Sequence, residues 1–431
     1  MNVRRGMRGE QGSTLILVIV IIVALSFLGV IGSRSALTEL QITRQHVLSK
    51  QALGVAEAGL SHAYRLIVAS QGFSNELAGG GTGGTLASIG SVVSLDGASY
   101  RFRTFGGGSG DGYYVQAQDD FDESSGANNA TIDTNNRIYL VSRGRVGTAE
   151  RVVVGVVSGT ARFPYALFAD RFITLSGGST TDSFDSRTAP YNALTAGTNG
   201  DVRTGGTNGT GNVGLSGGST VVHGDATAGG PGAVSTSGGS SVTDTRTDNA
   251  PTTTFATVPS CYVQSGNHYS ANSGIVPGSY YNPATGVLNV SGGNSVSLLN
   301  GTYCFSSITL SGGSTMSVSG PVTLDVTGAV DFSGGSVSNT TNLASNLQLY
   351  SSMNAPTNNN AIKLSGGSAA YMAIYAPQAG LTFSGGGSDF YGAVVAAAVT
   401  NSGGVGVHYD DALEGIMDSV GALSSWHEVR N

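Results

Sequence analysis

Lysine is nearly missing from this chain: Lys50 and Lys363 are the only two in 431 residues. Beyond Arg171 the arginines are Arg187, Arg203, Arg246 and Arg430, far apart in sequence. A phosphate-neutralising surface needs clustered cations, so nucleic-acid binding by this part is excluded. Cysteine is limited to Cys261 and Cys304, and no histidine pair lies at ligand spacing beside them, which leaves no zinc site. Charged residues make up 11%, and the formal net charge is −7. Low charge with 67 glycines is also a disorder signature. Against that, 39% of residues are hydrophobic and they alternate with polar ones, a strand pattern.

What is present begins near the N-terminus. Residues 13–31, STLILVIVIIVALSFLGVI, carry no charge and follow Arg4, Arg5 and Arg8. At ~1.5 Å per helical residue the run crosses most of a ~30 Å hydrocarbon core. The leading arginines keep the N-terminus in the cytoplasm and send the rest to the far side. A plain membrane anchor fits this run. A cleaved secretory signal fits less well, because the apolar part is long and continues into more helix. Residues 33–67 contain no proline and repeat apolar or small residues at Leu37, Leu40, Val47, Leu48, Ala52, Val55, Ala56, Leu60, Ala63 and Ile67, one face of a helix. Ala52, Ala56, Gly59 and Ala63 leave room for close approach.

Residues 72–91 are Gly-rich and read as a linker. Four alternating stretches follow, 100–105, 113–118, 137–146 and 151–157, which read as a small antiparallel meander. Between the second and third lies an acidic loop with Asp119, Asp120, Asp122, Glu123 and Asp133. It holds enough oxygen ligands for calcium but lacks the spacing of an EF-hand, so a solvated loop is the plainer reading. Outside the cytoplasm Cys261 and Cys304 are expected to form a disulfide; two buried thiols are the alternative.

From Arg171 onward the chain repeats. Ser-Gly-Gly recurs at Ser176, Ser216, Ser237, Ser291, Ser311, Ser333, Ser365, Ser384 and Ser402. Most intervals are close to one or two units of about 20 residues, a solenoid period. Around Ser311, Ile308 and Leu310, Met316 and Val318, then Val322, Leu324 and Val326 alternate with polar residues between glycine corners. Three short strands per turn make a parallel β-helix, with Ser and Thr stacking in ladders. After residue 411, Leu413, Ile416, Met417, Val420 and Leu423 have helical spacing and, with Trp426, predict a short helix over the last coil.

Several motifs dissolve on inspection. Gly79-x-Gly81-x-x-Gly84 and Gly209-x-Gly211-x-x-Gly214 have no strand before and helix after them. Gly214-Leu215-Ser216-Gly217-Gly218 imitates a hydrolase elbow, but its serine is one of nine repeat serines. His408 and Asp410 invite an active-site reading; a coil-end cap satisfying exposed backbone is the simpler one.

Gly12 followed by Ser13-Thr14-Leu15-Ile16-Leu17 resembles the type IV prepilin processing site, where a dedicated peptidase cuts after the glycine. Residues 51–60, QALGVAEAGL, look like the signature of PilX-type minor pilins, and the resemblance spans roughly residues 9–72. Residues 301–413 are similar to an uncharacterised domain often found behind such N-termini. The resemblance implies cleavage between Gly12 and Ser13, passage from the inner membrane into a fibre, and contact with other pilins through the helix. Pilins usually carry glutamate five residues after the cut; here that position is Leu17. In the family that carboxylate pairs with a neighbour's N-terminal amine, so a subunit lacking it is expected near a tip rather than along the shaft.

The expected architecture is α+β and mainly β: a leader (1–12), a pilin-type transmembrane and stalk helix (13–71), a linker (72–98), a small β domain (99–160), a parallel β-helix (171–411) and a C-terminal cap (412–431). The expected role is that of a structural minor pilin-like subunit at the cell surface, with no enzyme activity and no cofactor. It would meet the prepilin peptidase, and its head would meet a surface or a glycan. Two alternatives are a membrane-anchored polysaccharide-acting β-helix enzyme and a pseudopilin of a type II secretion system. The first needs clustered carboxylates in a groove, and the repeats offer mostly Ser, Thr, Asn and Gly.

Overall fold

The fold is that of a computed structural model describing residues 11–68, 70, 72–105, 110–120, 133, 135–261, 272–358, 360–365, 370–385, 389–421, 423 and 425–429. The leader, residues 1–10, lies outside them. Helix α1, Gln11–Ile67, is 57 residues long, about 86 Å at ~1.5 Å per residue. Its first half is bare: Leu15 through Ile31 are exposed and, but for Ser26, apolar, and the most apolar 18-residue window has a mean hydropathy of 3.2. Its second half buries the predicted face. Val55, Ala56, Leu60, Ala63 and Ile67 pack on Val115, Ile138, Leu140, Val153 and Val157. Small residues set the spacing: a Cβ on Gly144 would stand 2.1 Å from the carbonyl oxygen of Ala52.

The sheet under the helix is antiparallel, β1 (Ser91–Leu95), β2 (Ala98–Thr104), β3 (Gly112–Asp119), β4 (Arg137–Val146) and β5 (Ala149–Ala161), paired in that order. The expected linker over 72–98 is a correction. Helix α2, Phe73–Gly81, buries Phe73 and Leu77, and β1 closes the sheet edge. Glu76 is fully buried, and its carboxylate accepts from the Thr85 N–H (2.9 Å), the Thr85 hydroxyl (2.9 Å) and the Leu86 N–H (3.1 Å). Those bonds hold a glycine-rich stretch that composition alone reads as loose.

Beyond β5 the chain winds into a parallel β-solenoid of three faces. One face stacks nine strands among the described residues, and a Ser-Gly-Gly corner follows each. One inward column through this face is aliphatic throughout: Leu288, Ile308, Val330, Ile362, Leu381, Val399, Ile173, Val213 and Val234 are neighbours in register. At ~4.8 Å per coil the stack is about 40 Å long. Gly177, Gly178, Gly312 and Gly313 take φ between +61° and +87°, which is why the corners are glycine. Hydroxyl ladders form where expected, Ser297 on Ser317 (2.8 Å) and Thr315 on Ser336 (2.9 Å).

The order of that column departs from a simple winding. The chain enters the solenoid in its middle, at Leu167–Ala169, and climbs to one end at Arg246–Ala250. It then returns alongside the stack, starts again from the opposite end at Ile275–Val276, and descends until Phe390–Asn401 meets its own beginning. At this seam Val394 pairs with Leu167 and Val399 with Ile173. Buried Asn401 is satisfied by the backbone of Val405, at 2.8 and 3.3 Å.

The predicted cap helix over 412–431 is also corrected. One 3-10 turn, Asp411–Gly415, is followed by strands Met417–Val420 and Ser425–Val429, both antiparallel to β5. The C-terminus therefore leaves the solenoid and completes the small sheet. Met417 and Leu423 bury against that sheet and α1, so their spacing reflects an edge strand's packing.

Candidate functional site

Gly12 and Ser13 fall within the first turn of α1, at the head of the bare apolar half. The acidic loop is only partly described. Asp119 and Asp133 are buried, Asp133 accepts from the Arg137 N–H (2.9 Å), and Asp120 receives Asn135 (3.0 Å) and faces Arg137 (3.4 Å). Asp122 and Glu123 lie outside the described residues. Among the described residues no three His, Cys, Asp or Glu side chains are placed to hold a metal ion. Cys261 and Cys304 are joined, with Cα atoms 5.9 Å apart.

His408 and Asp410 sit at the seam, not at a coil end. The His408 ring contacts Asp182 at 2.5 Å through Nδ1 and lies under Tyr191, ring centroids 3.8 Å apart. Tyr371, Tyr391, His408 and Asp182 occupy one register position on four adjacent strands. Asp410 caps the 3-10 turn through the Ala412 N–H (3.2 Å) and holds the Ser186 N–H (3.0 Å). Both groups stitch the end of the solenoid chain to its start.

Beside them lies an acidic cluster that sequence reading missed, because its members come from distant segments. Burial, with repulsion from Asp185 and Asp410, pushes Asp411 up to about 7, although Asn199 and Arg187 oppose it. Burial and the Asp411, Asp201 and Asp185 carboxylates push Glu414 up to about 7 against Arg187. Asp410 is raised too, chiefly by burial. An acid with a raised folded-state pKa binds more protons folded than unfolded between about pH 4 and pH 7, so stability falls as pH climbs through that window and levels above it. The melting temperature is expected to be higher near about pH 5 than near about pH 8. Glu414→Gln should flatten the profile; an unchanged profile in that variant would show that Glu414 is not the source.

A cleft lies on a second face of the solenoid, between the returning strap and the small domain. Its floor is built by register: Thr302, Thr323 and Gln348 form one column, and Asp325, Tyr350 and Tyr375 the next. The strap is pinned in order along the stack. Arg203 donates to the Thr253 hydroxyl (2.8 Å), Phe255 packs on Phe168 (4.4 Å), the Tyr375 hydroxyl donates to the Ala256 carbonyl (2.8 Å), and Cys261 is bonded to Cys304. Arg162, the residue after β5, reaches into the cleft, donating to the Tyr350 hydroxyl (2.7 Å) with its guanidinium 5.3 and 5.7 Å from the Tyr350 and Tyr375 rings. Two adjoining cavities of about 450 and 560 Å³ share Arg162, Thr302, Asp325 and Tyr350.

Comparison with known proteins assigns the ends of the chain differently. Residues 11–61 match the PilX N-terminal family. The chain carries a PilX-type N-terminus. Residues 232–416, from the outermost coil of the first solenoid segment through the seam, match a domain of unknown function (DUF7305). No curated protein matches the chain. Among solved structures, the competence-associated pilin ComZ from Thermus thermophilus is similar at 12% identity, over 89% of this chain and 97% of that one, with a TM-score of 0.28. The PilX-type segment coincides with the bare half of α1 and the start of its packed half, so the protein is minor-pilin-like, with a β-solenoid as its C-terminal domain.

Proposed function

We propose that this protein is a minor subunit of a type IV pilus or related fibre that is cut after Gly12, held first in the inner membrane by α1 and then among other pilin helices. The observation that carries this reading is the PilX-type α1, whose apolar half has no partner among the described residues while its second half is locked to a sheet. Such a rod is suited to exchange lipid for neighbouring rods. The prepilin peptidase is the processing partner. Leu17, in place of the usual glutamate, supports a tip-proximal position, because no carboxylate there asks for a neighbour's amine.

In this reading the head faces outward as a rigid spacer whose partners are a surface or a glycan. It works without a cofactor and without catalysis: His408 is buried beneath Tyr191 and bonded to Asp182, which suits a structural joint. The test is N-terminal analysis of the protein isolated from membranes and from sheared fibres. A mature chain beginning at Ser13, and labelling confined to fibre ends, are expected. An intact Met1 would overturn processing, and even labelling along fibres would overturn the tip position.

A further inference from the structure

We propose that the cleft between the strap and the small domain binds a neutral oligosaccharide lying along the solenoid axis. The setting, a head turned toward a surface, rests on the reading above; the site itself rests on the cleft.

The shape comes first. Two adjoining cavities share a floor that crosses four successive coils, so the space is elongated along the stack and suits a chain more than a compact ligand. The floor repeats its chemistry with the coil spacing of ~4.8 Å. Thr302 is exposed, and Thr323 and Gln348 are half-buried, giving a row of hydroxyl and amide groups that both donate and accept. A polyol, which also donates and accepts at every unit, matches such a row.

Charge decides the class. Arg162 and Asp325 line both cavities together, and Arg187, at the far end, is held by Asp185 at 2.8 and 2.9 Å. Each cation has a carboxylate nearby, so the cleft offers no excess positive charge to select uronates, sulfates or phosphates. Arg162 is meanwhile fixed over two neighbouring tyrosine rings, which gives a planar donor fork of set direction beside aromatic surface. A peptide strand is disfavoured because the inner floor strands Val322–Val326 and Leu347–Ser351 are paired on both sides, and at the outer one, Gly301–Phe305, the Asn272 side chain already takes the Cys304 N–H and carbonyl.

The experiment uses the full chain in a detergent without a sugar headgroup. Titration calorimetry compares neutral oligosaccharides of α-1,4-glucose, β-1,4-glucose and β-1,4-N-acetylglucosamine with an oligogalacturonate and with an unrelated peptide mixture. At least one neutral glycan is expected to bind. Thr323→Ala and Gln348→Ala, which leave the inward core untouched, are each expected to weaken it by roughly three- to tenfold while retaining the wild-type melting temperature. Absence of binding by every neutral glycan, preference for the acidic one, binding of peptide alone, or affinity unmoved by both variants would overturn the proposal. The outcomes stay separable from those of the fibre reading. A chain still starting at Met1 that binds sugar removes the fibre and keeps the cleft; a chain starting at Ser13 that binds none does the reverse.

Discussion

Val394→Asp should leave the protein without a folded head. Val394 is fully buried at the seam, with Ile374 on one side and Leu167 on the other. A carboxylate there has no cation and no donor set, and an uncompensated buried charge costs about 3–5 kcal/mol, a large part of a domain's whole stability. The damage would spread for a topological reason. The seam joins the first solenoid segment to the last, and the chain after it supplies two strands to β5. Losing the seam exposes two coil edges and withdraws the edge of the small sheet. Thr400→Asp is the control: Thr400 lies half-buried in the same strand on the outer side, where a charge can turn to water and should cost only about 1 kcal/mol. Thermal melting and limited proteolysis read both. A Val394→Asp protein melting within a few degrees of wild type would show that the seam does not hold the stack.

Much of this architecture was legible because it is local. The apolar face Ala52, Ala56, Leu60, Ala63 and Ile67 is a helical period, and all five residues are buried. The alternation through Ile308, Leu310, Met316 and Val318 is a strand period, and each of those side chains points inward. Ser-Gly-Gly marks one corner per coil. The order of the coils was not legible, since residues 167 and 394 pair across 227 positions and nothing in either segment names the other. One trace existed: the gap from Ser237 to Ser291, the longest between corners, contains the return strap. The segment 72–98 misled because Glu76, the residue that orders it, is a buried carboxylate whose donors are mostly backbone. The tail misled because Leu413, Ile416, Met417, Val420 and Leu423 satisfy helical spacing while their partners are split between two domains: Leu413 and Ile416 pack on the solenoid core, and Met417, Val420 and Leu423 on the small sheet and α1. The cleft was invisible for the same reason as the seam: Arg162, the strap and the floor come from separate parts of the chain.

Replacing both cysteines with serine should lower stability by roughly 4 kcal/mol in the chain-entropy account, for a bridge spanning 43 positions. What it frees is the far half of the strap. The near half keeps its own anchors, since Phe255 stays on Phe168 and the Tyr375 hydroxyl stays on the Ala256 carbonyl. Beyond Ala256 the bridge is the covalent hold on the coil at Gly301–Phe305, alongside Asn272, which receives the Cys304 N–H at 2.9 Å and donates to its carbonyl at 2.7 Å. Amide exchange should therefore accelerate at Cys304 and its neighbours, and stay slow at Leu175, whose coil the near half of the strap still holds through Phe168, and at Val399 in the strand paired with it. Reductant added to the wild-type protein should reproduce the change, since the serine variant and the open bridge share a freed strap. A melting temperature indifferent to both treatments would mean that packing alone seats the strap. The bridge would then have no part in keeping the wall of the cleft in place.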